Sequence, residues 1–423
     1  MEDYRAMWQE LGLNVSLHEE MLDHEERIFK NTVGSQKLRP DGMRVFDLML
    51  HNAHRERVRE LLDGKAAGSP IVGTFCIYVP DEIIMAAGCT PVPLCGGTQW
   101  SIPYAEAKIP RDICPLVKST LGLAFSKTCP YAPIKSLAVG ETTCDAKKKT
   151  WDILSQMVHF HVIELPQKKN PTDVALWKQE LELFRARVEQ VSCIQVTLDR
   201  LKNSIRIMND KRKALQKLDA LRRSDLPPIS GLDSLVVMQA ALNADPVHFT
   251  KMLNELNDEL VQRITDGVSP FKPKAHRIMV SGTPSVMGNW KVHYLLEQSG
   301  AVVVADETCT GAKYYEQLVE DESNNLDGLL EAVADRYFSI DCSCFTPNNA
   351  RLAKVSRMAK DSNADGVIQY ILQYCHTYNL EAGLVEKTLK QAGLPSMKIV
   401  TDYSEEDTGQ LRTRIEAFLE RLD

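Results

Sequence analysis

Residues 71–95 read IVGTFCIYVPDEIIMAAGCTPVPLC. A short apolar run rich in Val, Ile and Phe comes first, over 71–79. A proline and two acids then open a helical piece, PDEIIMAAG, which closes on Gly88. A second short apolar run follows at once, CTPVPLC. Short buried strands alternating with helices predict a parallel sheet with helices on its faces.

The alternation continues. CPLVKSTLGLAF (114–125) reads as a helix, and SLAVGETTC (136–144) and HFHVIELP (159–166) read as strands. Residues 67–170 are therefore expected to form a first α/β domain. A second such pattern begins at Arg277. RIMVSGTP, AVVVADETC, YFSIDCSC, GVIQYILQYC and SMKIVTDYS read as five strands separated by helices, placing a second α/β domain at 271–423. The expected fold class is α/β, with two Rossmann- or flavodoxin-like domains built on parallel sheets. No sequence repeat strong enough to mark a duplication links them.

The rest of the chain reads as helix. HEEMLDHEERIFKN (18–31) and FDLMLHNAHRERVRELLDG (46–64) carry apolar residues at helical spacing and place an N-terminal helical segment at 1–66. Residues 171–270 read as a helical connector. ALWKQELELFRARVEQ and VTLDRLKNSIRIMNDKRKALQKLDALRR are periodic and so highly charged that solvated helices are expected. DLPPISGLDSL (225–235) breaks them as a loop, and VSPFKPK (268–274) reads as a linker.

Composition sets the outer limits. The chain has 423 residues, 44% hydrophobic and 25% charged, which suits an ordinary globular protein with a large core. Its net charge of −7 argues against nucleic acid as the main partner. No early apolar run resembles a signal peptide, and no 18-residue apolar stretch suggests a membrane span, so a cytoplasmic protein is expected.

Eleven cysteines in such a compartment point to metal, redox chemistry or simple burial rather than disulfides. Their positions say more than their number. Cys76, Cys95, Cys144, Cys309, the Cys342–Cys344 pair and Cys375 each fall near the end of a strand-like run. Cys114 opens a helix, and Cys129 sits in the loop TCPYAP. Open α/β sheets bind ligands at the carboxyl ends of their strands. Two sheets facing each other would bring these thiols together. Zinc sites favour compact CxxC pairs, and this chain has none. Dispersed thiolates suit an iron–sulfur cluster, though buried inert cysteines read equally well from spacing. Cys89 and Cys193 are expected to be of that inert kind. A CxC pair on a strand would put Cys342 and Cys344 on one face.

GETTCDAKKK (140–149) runs from strand into helix. The helix N-terminus would favour a thiolate or an anionic cluster, while the lysines read as a solvated basic face. No GxxxxGK[ST] loop, no GxGxxG after a strand, no HExxH and no GxSxG occurs, so direct nucleotide binding and those hydrolase chemistries have no support.

The segments GTFCIYVPDEIIMAAG, LCGGT, IPRDICPLVKSTLG, TCPYAP, VGETTCDAKKK, CTGAK, CSCFTPNNAR, LQYCHTY and TDYSEEDTGQLRTRIEAF resemble the 2-hydroxyacyl-CoA dehydratase D-component family, which includes benzoyl-CoA reductase and 2-hydroxyglutaryl-CoA dehydratase. Within it, the chain is most similar to the double-cubane cluster proteins. The resemblance implies two α/β domains with a cluster between them. It implies [4Fe–4S] ligands at Cys114, Cys144 and Cys375. For an [8Fe–9S] double cubane, it implies three more among Cys76, Cys95, Cys129, Cys309, Cys342 and Cys344, of which Cys76, Cys309 and Cys344 are the expected choice.

The resemblance further implies an oxygen-sensitive oxidoreductase working under anaerobic conditions. It implies electron transfer from a separate ATP-hydrolysing activator with its own [4Fe–4S] cluster, a homodimer, and a small-molecule substrate such as acetylene or hydrazine. The alternative it offers is one subunit of a 2-hydroxyacyl-CoA dehydratase, a lyase with a single [4Fe–4S] cluster. Glu141 and His376 are candidate catalytic residues, and Lys147 and Tyr378 candidate groups around the cluster, because all four flank ligand cysteines. Related chains read CDGKKK where this one has CDAKKK, so Ala146 asks for an ordinary backbone beside Cys144.

Overall fold

The computed structural model describes residues 4–422. It contains two four-stranded sheets, both wholly parallel. The first comprises β1 (Ile71–Thr74), β2 (Thr90–Pro93), β3 (Leu137–Glu141) and β4 (Phe160–Ile163) in the order β2-β1-β3-β4. The second comprises β5 (His276–Gly282), β6 (Ala301–Glu307), β7 (Gly366–Leu372) and β8 (Ser396–Thr401) in the order β6-β5-β7-β8. The same topology thus occurs twice, although no sequence repeat announces it. The fold is α/β with two Rossmann-like units, as the alternating pattern predicted. In each sheet the chain reverses its winding between the first strand and the third. That is where open α/β sheets hold ligands.

The second sheet has four strands where five were expected. YFSIDCSC is not a strand. Tyr337 and Phe338 end the Leu326–Phe338 helix, and Ser339–Cys344 form a turn-rich loop. Asn325 caps that helix, its side chain accepting from Gly328 N at 2.8 Å, so the register of Tyr337 and Phe338 is set from the helix side. Their side chains pack into the core shared with the first sheet rather than standing on a strand of the second. Cys342 and Cys344 therefore reach each other across a turn and not along one face of a strand.

The connector is not solvated throughout. It forms helices over Pro171–Ser192, Leu198–Arg222, Gly231–Asn243 and Pro246–Thr265, so helix resumes at Gly231, inside the stretch read as loop. Gly231–Asn243 is buried along nearly its whole length. On Leu198–Arg222 even Lys211, Arg212 and Arg222 are buried. Charge density misleads here because these cations have internal partners. Arg212 pairs with Glu82 at 2.6 Å, and Arg222 with Asp306 at 2.9 Å. Such pairs hold geometry rather than add much stability, since desolvation offsets most of the attraction.

The cores cross the chain order. Val33, Met43, Phe46 and Leu50, from the N-terminal helices, share a core with Met279, Val304 and Val367 of the second sheet. Leu329, Val333, Tyr337, Phe338 and Phe345, from the second half, share a core with Val72, Val139 and Ile163 of the first sheet. The loops carrying Gly97 and Gly288 meet between the two units. A Cβ on Gly97 would overlap the Met287 carbonyl oxygen, and Gly288 has φ +95°, so both positions require glycine.

Candidate metal centre

The carboxyl ends of five strands carry a thiol two or three residues beyond the last paired residue. Cys76 follows β1, Cys95 follows β2, Cys144 follows β3, Cys309 follows β6 and Cys375 follows β7. All five, together with Cys114, Cys129, Cys342 and Cys344, line a single cavity of about 1230 Å³ between the two units. These are the nine cysteines singled out from the sequence. Cys89 is buried in the first core, away from the cavity. Cys193 is not buried as expected: it is exposed, with φ 58°, where it ends the Pro171–Ser192 helix.

Three of the nine are helix caps. Cys114 precedes the Pro115–Ser126 helix, Cys144 the Asp145–Ser155 helix, and Cys375 the His376–Gln391 helix. Helix N-termini present free N–H groups and partial positive charge, which favour thiolates and anionic clusters. Ala146 lies in the first turn of its helix, where an alanine fits without strain.

The thiols fall into two groups by mutual influence. Burial raises Cys114 to about 11, and the charge of Cys144 adds to it. Burial raises Cys375 to about 12, with Cys114 and Cys144 adding to it. In the second group, burial raises Cys76, then Glu141 and Cys309 raise it further. Burial raises Cys309 to about 12, with Cys342 adding to it. A hydrogen bond from Cys344 holds Cys342 down as the thiolate and Cys344 up as the thiol. The charge of Cys342 raises Cys144 and so links the groups. Cys95 and Cys129 have other main influences. Burial raises Cys95 to about 11, and its Sγ donates to the Phe75 carbonyl at 3.1 Å. Burial raises Cys129 as well, and Lys135 is the charge that opposes it.

The flanking residues differ in kind. Glu141 is 0% exposed, pairs with Lys147, and accepts from Thr143 N at 2.8 Å. Its backbone carbonyl accepts from Trp151 Nε1 at 2.7 Å. Lys147 is therefore mostly buried rather than part of a solvated basic face. Burial lowers its affinity for a proton, but Cys76, Glu141 and Cys95 outweigh burial and hold it charged. His376 is exposed at the mouth of the cavity. Tyr378 is buried, and its hydroxyl accepts from Lys313 Nζ at 2.7 Å.

Lys313 was not singled out from the sequence. It is buried and pairs with Glu307 at 2.9 Å, and Arg351 pairs with the same carboxylate at 2.9 Å and with Glu381. Lys313 and Arg351 both lie over the Tyr378 ring, at 5.1 and 4.9 Å from its centroid. Two cations are thereby fixed beside Cys309 and Cys342. Only the position of Lys313 within CTGAK, four residues after Cys309, could have suggested it.

Among the described residues no group of three His, Cys, Asp or Glu side chains is placed to hold one metal ion. The donor set fits a cluster better than a single ion. It is all soft sulfur, it is spread around a chamber, and each iron of a cluster takes its own thiolate. The cations Lys147, Lys313 and Arg351 would balance the negative charge that such thiolates bring.

These features define an α/β protein with a thiol-lined chamber between two parallel sheets. The chain belongs to the family described as 2-hydroxyglutaryl-CoA dehydratase, D-component, whose model matches residues 76–422. It is similar to YjiM of Escherichia coli (strain K12), which carries the name of a dehydratase subunit. The two are 38% identical over 381 residues, covering 89% of this chain and 98% of the relative. It is also similar to the (R)-phenyllactyl-CoA dehydratase beta subunit of Clostridium sporogenes, at 24% identity over 84% of this chain and 92% of the relative. A third relative is one of the benzoyl-CoA reductase subunits of Thauera aromatica, at 21% identity over 81% of this chain and 87% of the relative. The named relatives are dehydratase and reductase components. No helix among the described residues is long and apolar enough to cross a membrane.

Proposed function

We propose that this chain is the electron-accepting component of an oxidoreductase, holding an [8Fe–9S] double cubane in the thiol-lined chamber. Cys114, Cys144 and Cys375 hold one half. Cys76, Cys309 and Cys344 hold the other, with Cys342 as the alternate. The observation that carries this reading is the presence of two thiol groups in one chamber, linked at Cys144 and Cys342. Cys95, whose Sγ is committed to the Phe75 carbonyl, and Cys129, whose thiol is opposed by Lys135, are left out of the ligand set.

Bound there, the cluster would supply low-potential electrons to a small molecule. The protein's own part is distinct. Helix N-termini and buried cations stabilise the thiolates. Glu141 fixes Lys147, and Lys313 fixes Tyr378, whose hydroxyl proton is free to point into the chamber. His376 is exposed and belongs to the chamber lining. A chamber of about 1230 Å³ exceeds the roughly 300–1,000 Å³ usual for small-molecule sites, which leaves room for substrate beside a cluster. An ATP-hydrolysing activator with its own [4Fe–4S] cluster is the proposed electron source.

A second reading is favoured by the relatives' names. Beta subunits of CoA dehydratases are similar to this chain over most of its length, and the Cys114–Cys144–Cys375 group alone could hold a [4Fe–4S] cluster. Iron and sulfide analysis of anaerobically purified protein separates the two. About eight irons per chain supports the double cubane, and about four supports the dehydratase reading. A colourless, iron-free protein overturns both.

A further inference from the structure

The chamber lining also carries polar groups left unpartnered. Lys211 lines the chamber and is 3% exposed. Its ammonium donates to the Tyr314 hydroxyl at 2.8 Å and lies over the rings of Tyr314 and Phe249, at 5.1 and 5.7 Å. No ion pair forms on it among the described residues. An ammonium has three N–H groups, so donors remain available to the chamber.

The charges around it are otherwise committed. Arg212, next on the same helix, pairs with Glu82, and Arg336 donates to the Tyr314 carbonyl. Asp245 caps the Pro246–Thr265 helix, accepting from Val247 N at 3.1 Å and His248 N at 2.9 Å. Asp81 is the exception. It lines the chamber, exerts the strongest acidic influence on Lys211, and makes no ion pair with it. Burial raises Asp81 to about 6 and lowers Lys211 to about 8. Elsewhere on the lining, Asn243 Oδ1 is buried without a partner. Its orientation is fixed, because Tyr131 donates to the Ala53 carbonyl and so must accept from Asn243 Nδ2. The His54 Nδ1 atom, which also belongs to the lining, is likewise without a partner. Buried groups left in this state are normally completed by water or ligand.

An uncommitted donor and an uncommitted acceptor that do not pair suit a neutral group carrying both functions on neighbouring atoms. We propose that Lys211 and Asp81 form a subsite for a carboxamide-like group, whose carbonyl oxygen accepts from Lys211 and whose N–H donates to Asp81. The subsite would orient one end of a small substrate while its other end faces the thiols. It rests on the reading of the chamber as the place where substrate meets the cluster.

Cyanate tests this directly. Isocyanic acid is small and neutral. Its carbon bonds to the unprotonated lysine nitrogen, and the amine proton moves to the isocyanate nitrogen, giving a urea. Carbamoylation of Lys211 would be followed by peptide mass spectrometry on anaerobically purified protein, with exposed Lys213 as internal reference and iron counted on the same sample. Propionamide is expected to slow the reaction at Lys211 about fivefold, as for one buried hydrogen-bond partner, and to leave Lys213 unchanged. Butanone, which lacks the N–H, should protect little, and Asp81→Ala, which removes the acceptor, should lose most of the protection. Equal rates with and without propionamide overturn the proposal, as does equal protection by butanone, a comparison that needs no variant. Loss of protection with iron intact counts against the subsite alone. Protection retained in an iron-free sample counts against the cluster alone.

Discussion

Cys144 is the residue at which the two thiol groups meet, since it belongs to one and feels the charge of Cys342 in the other. Cys144→Ser is expected to lose most of the iron, whereas Cys95→Ser and Cys129→Ser should keep it, as measured by iron content after anaerobic purification. Unchanged iron in Cys144→Ser would remove it from the ligand set. Lys313 makes a different prediction. Removing one partner of a buried pair leaves a carboxylate without its full compensation, which costs about 3–5 kcal/mol. Arg351 still faces Glu307, so Lys313→Met should fall at the lower end, read from urea denaturation. Six of the nine candidate cysteines, Cys76, Cys95, Cys114, Cys144, Cys309 and Cys375, were legible because each sits at a strand end or a helix start, whereas Cys342 and Cys344 were found through a strand that is not there. Arg351, 44 residues from Glu307, was not legible, because nothing local marks an arginine as buried.

At the scale of elements, acid stability follows from two environments. Burial raises the Glu307 carboxyl, but Arg351 and Lys313 outweigh it and bring it to about 2. Unfolded glutamate titrates near 4.3. The unfolded chain therefore binds the proton first as pH falls, and the stabilisation present above about 4.3 is lost as pH approaches 2. His18, on the Val15–Asn31 helix, is lowered from 6.5 to about 4 by burial. The folded chain holds it neutral. Stability from this group is thus present above about 6.5 and lost as pH falls through about 4. Hydrogen exchange should show that helix loosening between pH 6.5 and 4, before the second sheet responds. Replacing His18 with Gln should flatten that early phase. The strands of the first sheet were legible from their apolar runs. The fifth strand expected in the second sheet was an error of the same method, because YFSIDCSC is apolar for the sake of a helix end and a packed turn.

The whole molecule is expected to be a homodimer. Light scattering on anaerobically eluted protein should give about twice 47.5 kDa. A value of 47.5 kDa would overturn this, and a larger hetero-assembly would favour the dehydratase reading. The α/β class and the helical character of the connector were legible in the chain, but the burial of the connector was not. Periodicity shows which face of a helix is apolar. It cannot show that Lys211, Arg212 and Arg222 find partners far away in sequence.

The crossing of the two cores also has a consequence for synthesis. Val33, Met43, Phe46 and Leu50 complete their packing only with Met279, Val304 and Val367. At about 5–20 residues per second, the ribosome delivers those partners on the order of tens of seconds later. Throughout that interval only the connector helices, among them Val236, Phe249 and Leu256, can cover part of the apolar face of the emerging N-terminal helices. Nascent chains of this protein should therefore engage chaperones early and release them late, only once β7 has left the exit tunnel.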